Sequence, residues 1–223
     1  MVAGKSSLTI PPLENGDHLN RYQFERRYAA MPHLKKAELV EGVVYMPAAL
    51  RFNNHAEPHS HIMAWLVVYQ VFTPGVRVGD NPTVRLDLDN APQPDAVLMI
   101  EGGQTSISID DYIEGAPELV VEIAASSAAY DLYDKKQAYR RNGIQEYLVW
   151  NVYESEFNWF CLADGEYIKL EANEEGIICS QVFPGLWLAV DSLLSGKMER
   201  VLAVGQQGLD SVKHKEFIKK LAN

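Results

Sequence analysis

The hydrophobic pattern is clearest in the middle of the chain, where it predicts a sheet with a helical crossover. Residues 94–101 and 117–124 are almost continuously apolar, as in central strands that are covered on both faces. Residues 128–141 have a helical pattern, and residues 144–153 are typical of the next strand. The order strand, strand, helix, strand indicates a βαβ-like crossover around one sheet.

The helix predicted at 128–141 has recognisable start and stop signals. Ser126 or Ser127 can serve as its N-cap, because a hydroxyl accepts a hydrogen bond from the first turn. Asn142 and Gly143 follow its last turn, and both residue types are common at helix C-termini. We therefore expect a defined helix directly after the second apolar strand.

The N-terminal part predicts a tail, two helices and a hairpin. Residues 1–18 are expected to form a loose tail, and residues 19–28 have the spacing of a short amphipathic helix. Residues 38–49 predict a strand or hairpin arm with a bend at Gly42. Residues 59–72 have the length and apolar density of a packed helix.

Further strands are predicted on either side of this central region. The alternation at 83–88 is typical of a half-buried strand. Asp164 and Gly165 separate two strand-like segments, which predicts a hairpin. Residues 183–190 resemble one more short strand, and the C-terminal end of the chain has a helical pattern.

Together these elements predict an α/β (α+β) fold with a β-sheet core flanked by helices. We assign residues 1–18 to a flexible tail, 19–153 to the core, and 154–223 to a C-terminal β-hairpin and helical extension. The extension is expected to pack on the core, so that the chain forms a single domain overall. A length of 223 residues suits one domain of this kind.

Charge and hydropathy restrict the partners that the chain can have. No apolar run approaches the roughly 18–20 residues that cross a bilayer. The N-terminus lacks a secretory apolar core, so we expect a cytoplasmic protein with no membrane partner. The net charge is −10, and residues 197–223 carry six Lys or Arg against three acids. Proteins that bind duplex DNA usually present a basic surface, so any nucleic-acid groove must be local, shallow or supplied by a partner.

Two acidic residues lie within the apolar runs and are the first candidates for chemistry. Asp95 opens one predicted central strand, and Glu122 lies inside the other. A buried carboxylate is costly unless a cation or hydrogen bonds compensate it. Two acids on neighbouring strands form a hard oxygen site for Mg²⁺, and the carbonyl of Ile123 can add a ligand. The alternative is that Asp95 caps a turn and that Glu122 pairs with a structural cation.

The helix after Glu122 adds basic candidates. Lys135 and Tyr139 are four residues apart and share a helix face, so both can point toward the sheet. A lysine beside a metal-bound phosphodiester can orient the attacking water and neutralise developing charge. The alternative is that Lys135 and Lys136 form the solvated face of a surface helix.

These residues resemble a known family. The segments around Pro94–Asp95, Glu122, Lys135, Tyr139 and Glu146–Tyr147 are similar to the Uma-type family of restriction-endonuclease-like proteins, within the PD-(D/E)xK nuclease superfamily. The likeness covers roughly residues 19–153. It implies a restriction-endonuclease-like mixed β-sheet core. It also implies a metal-dependent endonuclease that hydrolyses phosphodiester bonds of a nucleic acid, with DNA as the first candidate.

The resemblance also implies roles for particular residues. Asp95 and Glu122 would hold Mg²⁺ or Mn²⁺ between them. Glu38 corresponds to an acid that recurs near the start of the family's core, where Glu41 competes for the role. The superfamily lysine usually lies two residues after the second acid, a position that Ala124 occupies here. Lys135 is therefore the nearest match for the active-site lysine, and Lys136 is the fallback.

Other interpretations remain open. The acidic surface and the missing strand lysine favour a catalytically inactive relative that serves as a binding or assembly module. A metal hydrolase based on histidines would require His59 or His61 to face Glu122, and His55 extends the same spacing pattern. A homodimer is also expected, since a face with Trp residues suits subunit contact. The tryptophans considered for it are Trp150, Trp159 and Trp187.

Overall fold

The computed structural model describes residues 10–47, 51–125 and 130–222. The strands are β1 Glu38–Val40, β2 Val43–Tyr45, β3 Val76–Asp80, β4 Val84–Arg85, β5 Ala96–Ile100, β6 Ser106–Ile107, β7 Ile113–Glu114, β8 Leu119–Ala124, β9 Glu146–Asn151, β10 Glu156–Ala163, β11 Glu166–Lys169, β12 Ile177–Cys179 and β13 Trp187–Ala189. The helices are α1 Arg21–Ala29, α2 Glu57–Val71, α3 Lys136–Arg141, α4 Val190–Leu194, α5 Met198–Leu209 and α6 Val212–Leu221. Turns of π-helix at Phe52–Ala56 and Asp131–Lys135 lead into α2 and α3.

A mixed sheet forms the centre of the part that the structure describes. Its strand order is β11-β10-β9-β8-β5-β3. Strands β8 and β9 are parallel, and α3 connects them, whereas the other neighbours in this sheet are antiparallel. The predicted crossover and the α/β (α+β) class are therefore confirmed.

Alternate residues of the central strands contribute to different hydrophobic clusters. Leu98 and Val121 belong to the cluster that includes α2 and the C-terminal helices. Val97 and Val120 belong to the cluster that includes Tyr139 of α3. Both faces of the strands are covered, which explains why their sequences show continuous apolar runs instead of alternation. Glu122 shares the parity of Val120 and therefore faces α3.

The N-terminal segment packs on the β1–β2 hairpin. The hairpin turn consists of Glu41 and Gly42, both with positive φ, as a type I′ turn requires. Leu13 is buried, and the N–H of Gly16 donates a 2.8 Å hydrogen bond to the carbonyl of Val44. Residues 10–18, the described part of the expected tail, are therefore not a loose segment, because Leu13 packs in a small hydrophobic core.

The strand predicted at 83–88 is shorter than its sequence pattern. It ends at Arg85, because the N–H groups of Leu86 and Asp87 both donate to the carbonyl of Asn90 and close a turn. Leu88 then lies on the surface, more than half exposed. Strand β4 joins a small sheet with β6 and β7, which form in the segment after Gly102–Gly103.

The two predicted helices that flank the site begin with wider turns. Helix α2 starts at Glu57, earlier than expected, and the π-helical turn Phe52–Ala56 precedes it. Before α3, the chain is helical from Tyr130 through the π-helical turn Asp131–Lys135. The proposed N-caps, Ser126 and Ser127, lie outside the described residues.

The C-terminal segment completes the main sheet instead of only packing on it. The predicted hairpin at Asp164–Gly165 joins β10 to β11, and β10 pairs with β9 along its length. Trp150 and Trp159 are buried in the main core, so they cannot form the subunit face expected for them. Trp187 is only partly buried, and the homodimer stays a prediction. In the part of the chain that the structure describes, no helix is long and apolar enough to span a membrane.

Candidate active site

Strand register brings the two predicted acids together. Strands β5 and β8 are antiparallel with Ala96 opposite Val121, and continuing this register by one residue places Asp95 beside Glu122. The N–H of Ile123 donates a 2.7 Å hydrogen bond to Oδ2 of Asp95. Both carboxylates are buried. The two acids therefore meet where β5 begins.

Lys135 is buried beside Glu122, as predicted. Its Nζ lies 2.9 Å from Oε1 of Glu122 and 3.0 Å from Oε1 of Glu38. It also lies 3.5 Å from Oδ1 of Asp131, one turn earlier in the helix. The hydroxyl of Tyr139 donates a 2.7 Å hydrogen bond to Oε1 of Glu122. Lys135 and Tyr139 thus use the same helix face to contact one carboxylate oxygen.

Lys136, the fallback for the active-site lysine, is not part of this cluster. Its Nζ lies 3.5 Å from the ring centroid of Phe160, on strand β10. It points away from the acids because consecutive residues on a helix lie on different faces. Lys135 is therefore the lysine that the fold brings to the carboxylates.

Glu38 reaches the site from the N-terminal hairpin, whereas its competitor Glu41 does not. Oε1 of Glu38 accepts a 2.7 Å hydrogen bond from the N–H of Gln93, in addition to its contact with Lys135. Glu41 lies in the hairpin turn and forms a two-contact ion pair with Arg141 at 2.7 and 2.8 Å. The hairpin thus inserts Glu38 into the cluster and leaves Glu41 at the surface.

Asp95 also contacts two basic side chains that the sequence analysis did not assign to it. Nε2 of His55 lies 3.1 Å from Oδ1 of Asp95, and Nζ of Lys36 lies 3.6 Å from the same atom. Burial raises the pKa of Asp95, but His55 and Lys36 outweigh it and lower this pKa to about 2. Lys36 precedes Glu38 by two residues, and the alternation of a strand was the only signal that could have suggested it.

The pKa values of Glu122 and Lys135 reflect their burial together. Burial raises the pKa of Glu122 to about 8, although Lys135 lowers it, and the neighbouring acids raise it further. Burial lowers the pKa of Lys135, but Glu122 and Glu38 outweigh this and raise it well above its ordinary value. The Lys135 ammonium therefore stays charged, and several carboxylates share this one positive charge.

The donor set fits a divalent cation that keeps several waters. Four buried carboxylates (Glu38, Asp95, Glu122, Asp131) face two ammonium groups (Lys36, Lys135), so the cluster carries −4 + 2 = −2 when all are ionised. Within the described ranges, no three His, Cys, Asp or Glu side chains are placed to hold a metal ion. Mg²⁺ needs only one or two carboxylates with water and other oxygens. The carbonyl of Ile123 projects from the same strand edge as its N–H, toward Asp95.

The histidines do not form an alternative metal site. Nε2 of His59 lies 3.0 Å from the main-chain oxygen of Asp95 and 3.2 Å from Oδ1 of Asp80. Neither His59 nor His61 lines the cleft that contains Glu122. His59 therefore fixes the start of β5 from the side of α2, and the histidine hydrolase interpretation lacks its required geometry.

Glu146 has a structural role away from the acids. Its Oε2 accepts a 2.7 Å hydrogen bond from Ser180, and its Oε1 accepts hydrogen bonds from the N–H groups of Gln181 and Val182. Neither Arg140 nor Lys135 is its partner, since Arg140 pairs with Glu166 and Lys135 pairs with Glu122. Glu146 thus attaches the segment before β13 to strand β9.

The carboxylate cluster opens into a cleft of about 630 Å³. Its walls come from the hairpin, the turn before α2, the ends of β5 and β8, and the turn before α3. The lining residues include Lys36, Arg51, His55, Tyr130 and Tyr153. Acids and a lysine from the ends of two strands and an adjoining helix thus lie together at the base of a cleft, the arrangement expected for an α/β protein of the restriction-endonuclease-like class.

Comparison with known families gives the chain its place in this class. Residues 22–191 match the Uma2 family, described as "Putative restriction endonuclease". This match spans most of the chain, and the protein belongs to this family. The match extends beyond residue 153, which agrees with the observation that β10 and β11 are part of the main sheet.

A solved structure shares the fold. It is described as a "putative nuclease belonging to DUF820" from Anabaena variabilis ATCC 29413. The two chains superpose with a TM-score of 0.59 at 14% sequence identity, covering 76% of this chain and 96% of the other. At this identity the similarity shows the fold. A search of curated proteins gives no match.

Proposed function

We propose that the protein is a Mg²⁺-dependent or Mn²⁺-dependent endonuclease that hydrolyses phosphodiester bonds of a nucleic acid, with DNA as the first candidate. The observation that supports this most directly is the contact of Lys135 with Glu122 and Glu38, beside Asp95, at the base of an open cleft. Membership of the family supports the same reaction class.

The chain's own residues can meet the main demands of phosphodiester hydrolysis. Asp95, Glu122 and the carbonyl of Ile123 would hold the divalent ion, which would supply Lewis-acid stabilisation of charge on the phosphate. Ile123 and His55 keep the Asp95 carboxylate ionised and oriented through their hydrogen bonds. Tyr139 orients Glu122 in the same way.

Lys135 and Glu38 supply positioning and charge. The Lys135 ammonium lies between two carboxylates, so it can orient a water molecule toward the phosphate and stabilise negative charge that develops there. Glu38 is held by the N–H of Gln93 and by Lys135, and its carboxylate can accept a hydrogen bond from that water.

Hydrolysis of labelled DNA and RNA in the presence of Mg²⁺ or Mn²⁺ tests the proposal. We expect the wild-type protein to cleave at least one substrate, and Asp95→Asn and Lys135→Met to lower the rate at least a hundredfold, since single electrostatic groups commonly contribute about 10²–10³. Lys136→Met is the matched control, because Lys136 contacts Phe160 instead of the acids, and it should cleave at nearly the wild-type rate. Equal cleavage by wild type and Asp95→Asn, or none with any substrate and either metal, would contradict the proposal.

A catalytically inactive binding or assembly module is the second candidate. The Lys135 ammonium already neutralises part of the carboxylate cluster without a metal, and Ala124 occupies the usual position of the lysine. Thermal unfolding during Mn²⁺ titration separates the two candidates. A functional metal site gains about 2.7 kcal/mol at a metal concentration a hundredfold above Kd, whereas an inactive site shows no metal-dependent rise in Tm.

A further inference from the structure

The cleft carries aromatic rings that the hydrolytic step does not use. Tyr153 lines the cleft and is 59% exposed. Its hydroxyl accepts a 3.2 Å hydrogen bond from Nδ2 of Asn54, which holds the ring at this position. Tyr45 and Tyr130 also line the cleft, and their ring centroids are 4.0 Å apart. Tyr153 is therefore an aromatic side chain that is accessible to a ligand in the cleft.

Two cations in the same cleft are available to an anion. Arg51 is exposed, and it forms no ion pair with any residue that the structure describes. Lys36 is partly exposed and lies 3.6 Å from Oδ1 of Asp95. An anionic group bound between them would lie next to the carboxylates. Phosphate oxygens suit guanidinium and ammonium groups of this kind.

The size and charge of the cleft restrict how a nucleic acid can enter. A volume of about 630 Å³ falls in the roughly 300–1,000 Å³ range of pockets that enclose small ligands. A base in an intact duplex is stacked on its neighbours and cannot contact Tyr153 unless it leaves the helix. A chain with a net charge of −10 is poorly suited to hold a duplex across a broad surface. Unpaired nucleotides meet these restrictions better than duplex does.

We propose that this cleft binds an unpaired strand of nucleic acid, with a base stacked on Tyr153 and a phosphate contacted by Arg51 and Lys36. This proposal rests on the proposed nuclease function and adds its substrate class. Base stacking on aromatic side chains tolerates any sequence and requires only a local set of cations. It explains how an acidic protein can select a polyanion through a small part of its surface.

Binding of a fluorescent single strand of about 12 nucleotides tests the proposal by anisotropy. The same sequence as a duplex is compared, both with the full-length protein in Ca²⁺, and gels verify that the strand stays intact. We expect the single strand to bind at least ~10-fold more tightly than the duplex. Tyr153→Ala should weaken single-strand binding ~10-fold, and Tyr153→Phe should retain it because the ring remains. Tyr22→Ala is the matched control, since Tyr22 is 63% exposed and lies outside the cleft lining.

Two results would overturn the proposal. One is a duplex bound as tightly as the single strand. The other is unchanged single-strand binding by Tyr153→Ala with an unchanged Tm. Cleavage assays separate this proposal from the nuclease assignment. Cleavage of duplex that is insensitive to Tyr153→Ala would support the nuclease assignment and contradict the unpaired-strand site. Binding that depends on Tyr153 but is not followed by hydrolysis would support the unpaired-strand site and contradict the nuclease assignment.

Discussion

At the residue scale, Lys135 acts as an internal counterion for the acids around it. Its ammonium contacts Glu38, Glu122 and Asp131, and its side chain is only 4% exposed. A buried charge that loses its partner is costly, because neither water nor another ion replaces the lost interaction. The same contact that we propose for catalysis therefore also contributes to folding.

This arrangement predicts that Lys135→Met destabilises the metal-free protein by about 3 kcal/mol at neutral pH, since removal of one partner of a buried ion pair commonly costs about 3–5 kcal/mol. Urea unfolding followed by circular dichroism measures the change. Lys136→Met is the control and should lose less than about 1 kcal/mol, the usual value of an exposed cation–π contact. Equal unfolding free energies for wild type and Lys135→Met would show that the cluster does not depend on this ammonium.

Glu122 predicts a pH dependence of stability in EDTA. Burial raises its folded-state pKa to about 8, above the ordinary value of 4.5. The folded state therefore binds the proton more tightly than the unfolded state between these values, and the stabilisation present below pH 4.5 is lost as pH rises through about 8. We expect the Tm to fall between pH 5 and pH 8, and Glu122→Gln, which cannot titrate, to flatten this fall. A Tm profile that is identical in Glu122→Gln and wild type would assign the fall to other groups.

At the element scale, local patterns predicted the strands and helices that build the site, but not all of their pairings. The apolar runs at 94–101 and 117–124 identified β5 and β8 because both faces of these strands are buried. The register that places Asp95 beside Glu122 depends on contacts distant in sequence, which hydrophobic periodicity does not record. The contact of Lys36 with Asp95 likewise could not be predicted from periodicity, because it depends on how the hairpin packs. The pattern at 83–88 predicted too long a strand, because a turn closed by Asn90 overrides local strand propensity after Arg85.

The attachment of the C-terminal segment to β9 predicts an effect of Glu146. Its side chain is fully buried and accepts hydrogen bonds from Ser180, Gln181 and Val182. Glu146→Ala leaves these donors without a partner, and each buried unsatisfied group costs about 1–3 kcal/mol. We expect a loss of about 2–4 kcal/mol in chemical unfolding, while exposed Glu156→Ala on β10 should change stability by less than about 0.5 kcal/mol. A loss below 1 kcal/mol for Glu146→Ala would mean that water replaces Glu146 as acceptor.

At the scale of the whole molecule, an acidic protein that selects a polyanion must do so through few contacts. The net charge is −10, and the cleft offers Arg51 and Lys36 as cations for phosphate, beside the paired Lys135. The basic surplus of the chain lies instead in residues 197–223, on the C-terminal helices. Each phosphate contact releases condensed counterions, so the salt dependence of the binding constant reports how many cations contact phosphate. Binding in the cleft and binding on the C-terminal helices therefore predict different salt dependences.

Two phosphate contacts predict a shallow salt dependence for single-strand binding. The slope of log K against log salt is about −0.7 per contact for single strands, so Arg51 and Lys36 together give about −1.4. Between 50 and 200 mM salt the affinity should then fall only ~7-fold, against the roughly 10³–10⁵-fold of proteins with many phosphate contacts. Anisotropy at several salt concentrations measures the slope, and Arg51→Ala should make it shallower by about 0.7. The C-terminal control, Lys215→Glu with Lys220→Glu, should leave the slope unchanged, because both residues lie outside the cleft lining. A slope several times steeper, or one that changes in the C-terminal variant and not in Arg51→Ala, would place nucleic-acid binding on the C-terminal helices instead of the cleft.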